Sequence, residues 1–250
     1  MRENLGELDA ARRNELPDLV ELADIRGDLH THTTWSDGKN SLEEMVARAI
    51  EKGYDYYAIC DHSHRLRDGR MAQQHEAIDA LNAQVPIQLL KGVEANIRAD
   101  GEVDVEDEDL ATLDWVVASV HNSFDKNSTE RVLAAMENPY VNCIGHLTGR
   151  KIGKRPPADI DLERVIEKAL ETGTFLEINS QPDRLDLTDV HARAAREAGL
   201  KLVIDSDGHQ ISALDYVELG VGQARRAWLT KADVVNTHTW KQLQRLKKPR

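Results

Sequence analysis

The chain is short of the features that mark secretion, membranes and modular linkage. It has two cysteines in 250 residues, Cys60 and Cys143, and each sits in an apolar run, so buried free thiols are expected rather than a disulfide framework. No apolar run approaches the roughly 20 residues needed to cross a bilayer. The opening segment, MRENLGELDAARRNELPDL, is charged throughout and unlike a secretory signal, so a cytoplasmic protein with no membrane contact is expected. There is no Gly/Ser-rich or Pro-rich linker, no low-complexity tract and no short-period repeat. One domain over residues 25–250 is expected, led in by a linker or helical extension over residues 1–24. Positive charge is also scarce: 32 Lys and Arg face 44 Asp and Glu, a formal charge of -12. Such a chain is poorly suited to unaided, non-specific nucleic-acid binding, although bound divalent cations would reverse the charge locally.

What the chain does have is a rhythm. Seven apolar runs read as strands: 25–30, 56–61, 87–94, 115–121, 141–146, 174–178 and 202–207. Continuous stretches such as WVVASV suit strands buried on both faces. Helical patterns fill most of the gaps. Ser41 opens SLEEMVARAIEKG with Glu44 completing a capping box and Gly53 as the stop; Asp161 and Asp189 open two more, each closed by glycine; residues 130–137 and 215–228 carry helical spacing. Successive strand ends lie 25 to 33 residues apart, the size of one βαβ step. Regular steps predict an α/β fold with a parallel sheet closed into a barrel, irregular because there are seven steps rather than eight, with the site at the C-terminal ends of the strands.

The histidines fall where such a site would be. His30 ends the first strand and His32 follows two residues later, so on an extended chain both side chains face the same way. His62 follows the second strand, Glu94 ends the third, His121 the fourth and His146 the fifth; Asp207 ends the seventh, with His209 two residues on, and Asp37 lies in the turn after the HxH pair. Singly, a histidine at a strand end is usually structural and an Asp before Gly usually a turn. Their coincidence at six of seven strand ends points to a metal site. His64, His75, His191 and His238 scatter over a loop, helices and the tail. Imidazole and carboxylate donors without thiolate suit Zn, Mn or Fe. Nine donors exceed what one ion needs and fit two or three ions with a bridging carboxylate, for which Glu94 is central.

The segments GDLHTHTTWSDG, AICDHS, GVEANI, ASVH, GHLTGR and SDGH resemble, in order, the motifs of the PHP (polymerase and histidinol phosphatase) family. Over about residues 1–245 the chain is most similar to the C-terminal PHP domain of bacterial and archaeal family X DNA polymerases. The resemblance implies a distorted, TIM-like (β/α)7 barrel with a trinuclear site. His30, His32, Glu94 and Asp207 would hold the first ion, Glu94, His121 and His146 the second, and Asp37, His62 and His209 the third. Asp207-Gly208-His209 departs from the family's frequent Asp-Ala-His but keeps its spacing, and no polymerase domain is expected ahead of the barrel.

The chemistry expected is hydrolysis of a phosphate ester by a hydroxide bridging two metal ions, with Glu94 and Asp207 central to catalysis and no side-chain nucleophile; Ser36 and Ser119 lack an evident base. Cations around the mouth would receive the phosphate. Arg150, Lys151, Lys154 and Arg155 lie in the loop after His146, Arg65 and Arg67 follow His62, and Arg184 follows the sixth strand. Arg67, Arg150 and Arg184 are the expected substrate contacts. Asp61 and Asp205 are expected to orient histidines, and Trp35 either to stack on a substrate ring or to pack over the site. The substrate is a small phosphomonoester, such as histidinol phosphate, or a nucleic-acid 3′ end, the latter implying 3′–5′ exonuclease or 3′-phosphatase activity. An amidohydrolase would place a ligating lysine near the fourth strand, where this chain has Ser119-Val120-His121. A non-catalytic structural module would be expected to have lost ligands, and none is lost. The oligomeric state leaves no mark on the sequence.

Overall fold

A computed structural model describes residues 6–248. Seven strands run parallel and pair in chain order: β1 (Gly27–Asp28), β2 (Tyr56–Ile59), β3 (Gln88–Asn96), β4 (Trp115–Ser119), β5 (Cys143–Ile144), β6 (Phe175–Asn179) and β7 (Leu202–Asp205). Around them lie α1 (Glu7–Arg13), α2 (Leu42–Glu51), α3 (Arg70–Asn82), α4 (Asp107–Leu110), α5 (Ser128–Glu137), α6 (Leu162–Thr172), α7 (Asp189–Glu197), α8 (Val217–Arg226) and α9 (Trp240–Leu246). The result is a nearly closed (β/α)7 barrel. Within the expected extension over 1–24, α1 and a 3-10 turn at Leu22–Asp24 are present, and residues 1–5 lie outside the described residues. Among the described residues no helix is long and apolar enough to cross a membrane.

The continuous apolar runs have two burials to satisfy. In β2, Tyr56 and Ala58, with Cys60 beyond them, enter the barrel interior, while Tyr57 and Ile59 pack under the helices. The interior also takes Leu90, Trp115, Val117, Cys143, Phe175 and Val203, with Trp115 and Phe175 stacked at 6.1 Å. Both cysteines are free and buried. The floor is closed by α9, whose Leu243 joins the interior cluster and whose Trp240 ring meets Tyr56 at 5.9 Å.

The capping signals hold: Ser41 and Glu44 form the capping box of α2, and Asp161 caps α6, which ends on left-handed Gly173. For α7 the cap is Thr188, whose side chain accepts from the His191 N–H, and Asp189 lies in the first turn. The sequence pattern predicts no helix over 70–82. Only Gln74 and Ile78 of α3 are buried, so its apolar stripe is too thin to read.

Among the described residues, no eighth strand lies between the seventh and the first. Val234 bridges Leu202, and Asn236 fills the gap: its Nδ2 donates to Gly27 O (2.9 Å) and Ile204 O (2.7 Å), its Oδ1 accepts from Ile204 N (3.1 Å), and its carbonyl accepts from Arg26 N (2.9 Å). Higher up, the Asp205 carboxylate accepts from Leu29 N (2.8 Å), and His32 N donates to Gly208 O (2.9 Å). The seam is thus closed by side chains below and by the two ligand-bearing segments above.

Candidate metal centre

The nine donors expected from the strand ends meet at the barrel mouth. β1 and β5 span only two residues each, so His30, His32 and His146 lie on irregular chain beyond the ladder. Other contacts hold them. Cys60 N donates to Thr31 O (2.8 Å) and the Thr31 hydroxyl to Ala58 O (2.7 Å), which fixes the HxH segment against β2. His146 and Asp207 have φ of 25° and 50°, in the left-handed region that non-glycine residues rarely adopt and that persists where surrounding structure imposes it. Beside His146, a Cβ on Gly145 would come within 2.5 Å of Ser119 Oγ and 2.8 Å of a Val117 methyl, so glycine lets β5 close on β4.

Glu94 lies at the centre and is buried. Its Oε2 is 2.8 Å from His62 Nδ1, 3.5 Å from His30 Nε2 and 3.6 Å from His32 Nε2; its Oε1 is 3.1 Å from the Nε2 of both His121 and His146. Asp207 Oδ1 is 3.3 Å from His32 Nε2, 3.8 Å from His30 Nε2 and 3.5 Å from His209 Nδ1. Asp37 Oδ1 faces His209 Nε2 at 3.4 Å and His62 Nε2 at 3.6 Å. The His209 ring stacks on His32 at 4.1 Å. Three groups are compact enough to hold an ion: His30, His32 and Asp207; His62, Glu94 and His121; and His32, Asp37, His62 and His209.

The electrostatics suit cations. Burial pushes Glu94 and Asp207 up, but the imidazoles around them prevail and hold both well below the usual carboxylate range. Asp37 is lowered chiefly by its hydrogen bond to His209. Burial, then His209 and His62 nearby, brings His32 down to about 3; burial and Arg184 bring His146 down to about 4. His209 rises to about 9 because Asp37 and Asp207 outweigh its burial. His30 Nε2 and both ring nitrogens of His32 are buried with no hydrogen-bond partner, which a protein interior tolerates poorly unless something else takes their lone pairs. Metal ions fit this donor set.

The residues that orient the histidines are not those expected. Asp61 accepts from Thr33 N and Oγ1, Ser36 N and Oγ, and Gln74 Nε2, so it holds the turn carrying Asp37. Asp205 holds Leu29 N. The histidine partners are Glu177, 2.7 Å from His30 Nδ1, and Asn96, 2.6 Å from His121 Nδ1 and itself fixed by Asp104. Asn179 donates to both Glu177 and Asp207. Their signal was in the sequence: Glu177 and Asn179 alternate with apolar residues in FLEIN, and Asn96 stands two residues after Glu94.

A cavity of about 390 Å³ opens above the cluster, walled also by Lys39, Lys151, Gln181, Arg184 and Tyr216. Of the three expected arginines, Arg184 reaches this wall, its Nε 3.6 Å from Asp207 Oδ2. Arg67 is exposed and off the wall, and Arg150 is turned to main-chain carbonyls. Trp35 packs against the core with the Arg70 guanidinium 5.3 Å from its ring. His64 is exposed, its ring 5.3 Å from that of His62.

Fold and site together define an α/β barrel with a cluster of imidazoles and carboxylates at its mouth that could hold metal ions. The PHP domain family matches residues 28–181; Asp207 and His209 lie beyond that segment. The chain is 44% identical over 237 residues to the DNA polymerase/3′-5′ exonuclease PolX of Bacillus subtilis, which takes in 91% of this chain and 42% of that protein. It is 30% identical over 235 residues to a probable phosphatase of Thermoanaerobacter pseudethanolicus, covering 88% and 94%. The histidinol phosphate phosphatase of Lactococcus lactis, solved with zinc, L-histidinol and phosphate, superposes with a TM-score of 0.58 at 17% identity over 80% of this chain and 93% of that one. This chain belongs to the PHP family.

Proposed function

We propose that the chain is a metal-dependent phosphoesterase whose mouth cluster holds two or three divalent ions. The carrying observation is the division of Glu94: Oε1 faces His121 and His146, and Oε2 faces His30, His32 and His62. A carboxylate with imidazoles on both oxygens is arranged to bridge. On this reading His30, His32, Glu94 and Asp207 hold one ion, Glu94, His121 and His146 a second, and Asp37, His62 and His209 a third. Zn, Mn and Fe suit these donors, and zinc is bound in the Lactococcus lactis neighbour.

Metal ions held by these donors would lower the pKa of water from about 15.7 towards roughly 7, and so supply a nucleophile at neutral pH, and would neutralise phosphoryl charge. The chain's own part is to place the ester. Arg184 is largely buried, and its Nη1 has no hydrogen-bond partner, so it can meet a phosphoryl oxygen at the cavity wall. Lys39 and Lys151 lie on the same wall, Lys151 with the Asp183 carboxylate 4.0 Å from its Nζ. Glu177, Asn96 and Asn179 fix the donors so that little is left to reorganise when an ester binds.

The substrate is a phosphate ester. Likeness to the Bacillus subtilis polymerase and exonuclease favours a nucleic-acid 3′ end, although the chain spans 42% of that relative. Likeness over nearly the whole length of a probable phosphatase favours a small monoester. The deciding experiment is hydrolysis of p-nitrophenyl phosphate, bis-p-nitrophenyl phosphate and a 3′-phosphorylated oligonucleotide by protein purified without chelator, with bound metal measured on the same sample. Turnover abolished by chelator and restored by metal is expected. A fully metallated protein inert on all three esters would reject the reading.

A further inference from the structure

We propose that Arg150 is a positioning residue that aims Arg184 at the cavity, and that the loop after β5 grips the loop after β6 for this purpose. The proposal rests on Arg184 as the phosphoryl contact. Arg150 Nε donates to Arg184 O and its Nη2 to Leu185 O, both at 2.6 Å. On either side, Ile152 N donates to Asp183 O (2.6 Å), and the Asp186 carboxylate accepts from Thr148 N and Oγ1 (2.9 Å each). Four consecutive residues, 183 to 186, are therefore held by residues 148 to 152.

The grip matters because the turn, closed at its base, does not pair its own apex carbonyls. Leu185 has φ of 47°, an unfavourable conformation for a branched apolar residue. The turn's local hydrogen bonds close its base, Asn179 N to Asp186 O (2.6 Å) and Asp186 N to Asn179 O (3.2 Å), and run from Arg184 N and Leu185 N to Gln181 O, which leaves the carbonyls of 183 to 185 to other donors. A guanidinium presents donors in a rigid plane. Set on two adjacent carbonyls, it fixes the peptide between Arg184 and Leu185 and with it the direction in which the Arg184 side chain leaves the backbone. Arg184 then reaches past Asp207 with Nη1 free. Lysine at 150 donates from one nitrogen on a flexible stem and lacks the rigid fork that fits the two carbonyls.

The test is a double-mutant cycle on the metallated full chain: Arg150→Met, Arg184→Met and the pair, with Arg150→Lys as the conservative variant and the one that carries the test should methionine impair folding. The readouts are KM and kcat for p-nitrophenyl phosphate, inhibition by inorganic phosphate, bound metal and Tm. Arg150→Met should lose roughly 10- to 100-fold in kcat/KM, mainly through KM, because small displacements of a positioning group have effects of that size. Phosphate inhibition should weaken in parallel and metal content stay unchanged. Lysine should rescue little, and the double variant should be no worse than Arg184→Met alone. Additive losses, or unaltered phosphate inhibition in Arg150→Met while Arg184→Met loses it, would overturn the positioning role alone. An Arg184→Met protein with normal KM and phosphate inhibition would overturn the phosphoryl-contact reading and this proposal with it.

Discussion

Glu177 holds His30 and His146 with one carboxylate: its Oε1 is 2.7 Å from His30 Nδ1, and its Oε2 accepts the main-chain N–H of His146 at 2.6 Å. A carboxylate accepts, so Nδ1 of His30 carries the proton, and in the neutral ring Nε2 is left free to face Glu94 and Asp207. The second bond helps hold His146 at its positive φ. Glu177→Gln keeps the size but has one accepting oxygen for three donors, His30 Nδ1, His146 N and Asn179 Nδ2. Metal affinity should fall roughly 10- to 100-fold with the fold intact, as measured by chelator competition and circular dichroism. Unchanged affinity would mean that Glu177 does not orient the donors.

Chelation should act on stability as well as turnover. Nine donors from six strand ends, with three carboxylates among them, leave a concentrated charge when no cation is bound. A ligand at 100 times its Kd stabilises by about 2.7 kcal/mol, so removal of the metal should lower Tm by several degrees and its return restore it. Glu94→Gln should bind fewer ions and gain less from added metal. Identical melting curves with and without chelator would contradict this.

Asn236→Ala should destabilise without touching the site. It leaves Gly27 O and both main-chain groups of Ile204 without their partner in a dry interior. At about 1–3 kcal/mol for a buried group left unpaired, with some relaxation, a loss of about 3 kcal/mol is expected. A urea midpoint shift at unchanged kcat per bound metal would bear this out.

Asp186 supplies a pH signature. Burial raises its carboxyl to about 6, against the opposing hydrogen bonds from Thr148. Unfolded, it titrates near 3.8, so between pH 3.8 and 6 the folded chain binds the extra proton. The stability this group contributes is present below that window and lost as pH rises through 6. Asp186→Asn keeps an acceptor for Thr148 and removes the titration. A tenfold difference in proton affinity between the folded and unfolded chain is worth about 1.4 kcal/mol, so relative to the parent the variant should gain about 3 kcal/mol between about pH 3 and pH 7.5. A difference in urea stability that stays flat with pH would reject the assignment.

The strand ends and the nine donors were legible because a barrel strand carries its own signs: a run of Val, Ile, Leu and Ala, then a polar residue where it emerges. His62, Glu94 and His121 stand out against YYAIC, LLKGV and WVVAS. What stayed hidden depends on partners distant in the chain. Nothing near Asn236 announces that it stands in for a strand between Gly27 and Ile204, 209 and 32 residues away. Arg150 and Arg184 look alike as loop cations, and only the folded turn turns one towards the cavity and the other to carbonyls. Asp61 follows the same apolar run as His62, and its direction, set by the pleat, sends it to Thr33 and Ser36 instead.

The two ends of the barrel are fastened by different means. At the floor, α9 and Asn236 shut the cylinder with hydrocarbon and amide, a fastening that works in any ionic medium. At the mouth, β1 and β5 are two residues long, and the chain above them is held by hydrogen bonds such as Cys60 N to Thr31 O and His32 N to Gly208 O, with histidines and carboxylates facing one another across it. On the proposed reading, ions shared by donors from six strand ends would act as a hoop that tightens on loading. Supply of the cation would then set the rigidity of the rim separately from the rest of the molecule, and its withdrawal would loosen the rim first while the floor keeps the chain folded and ready to be reloaded.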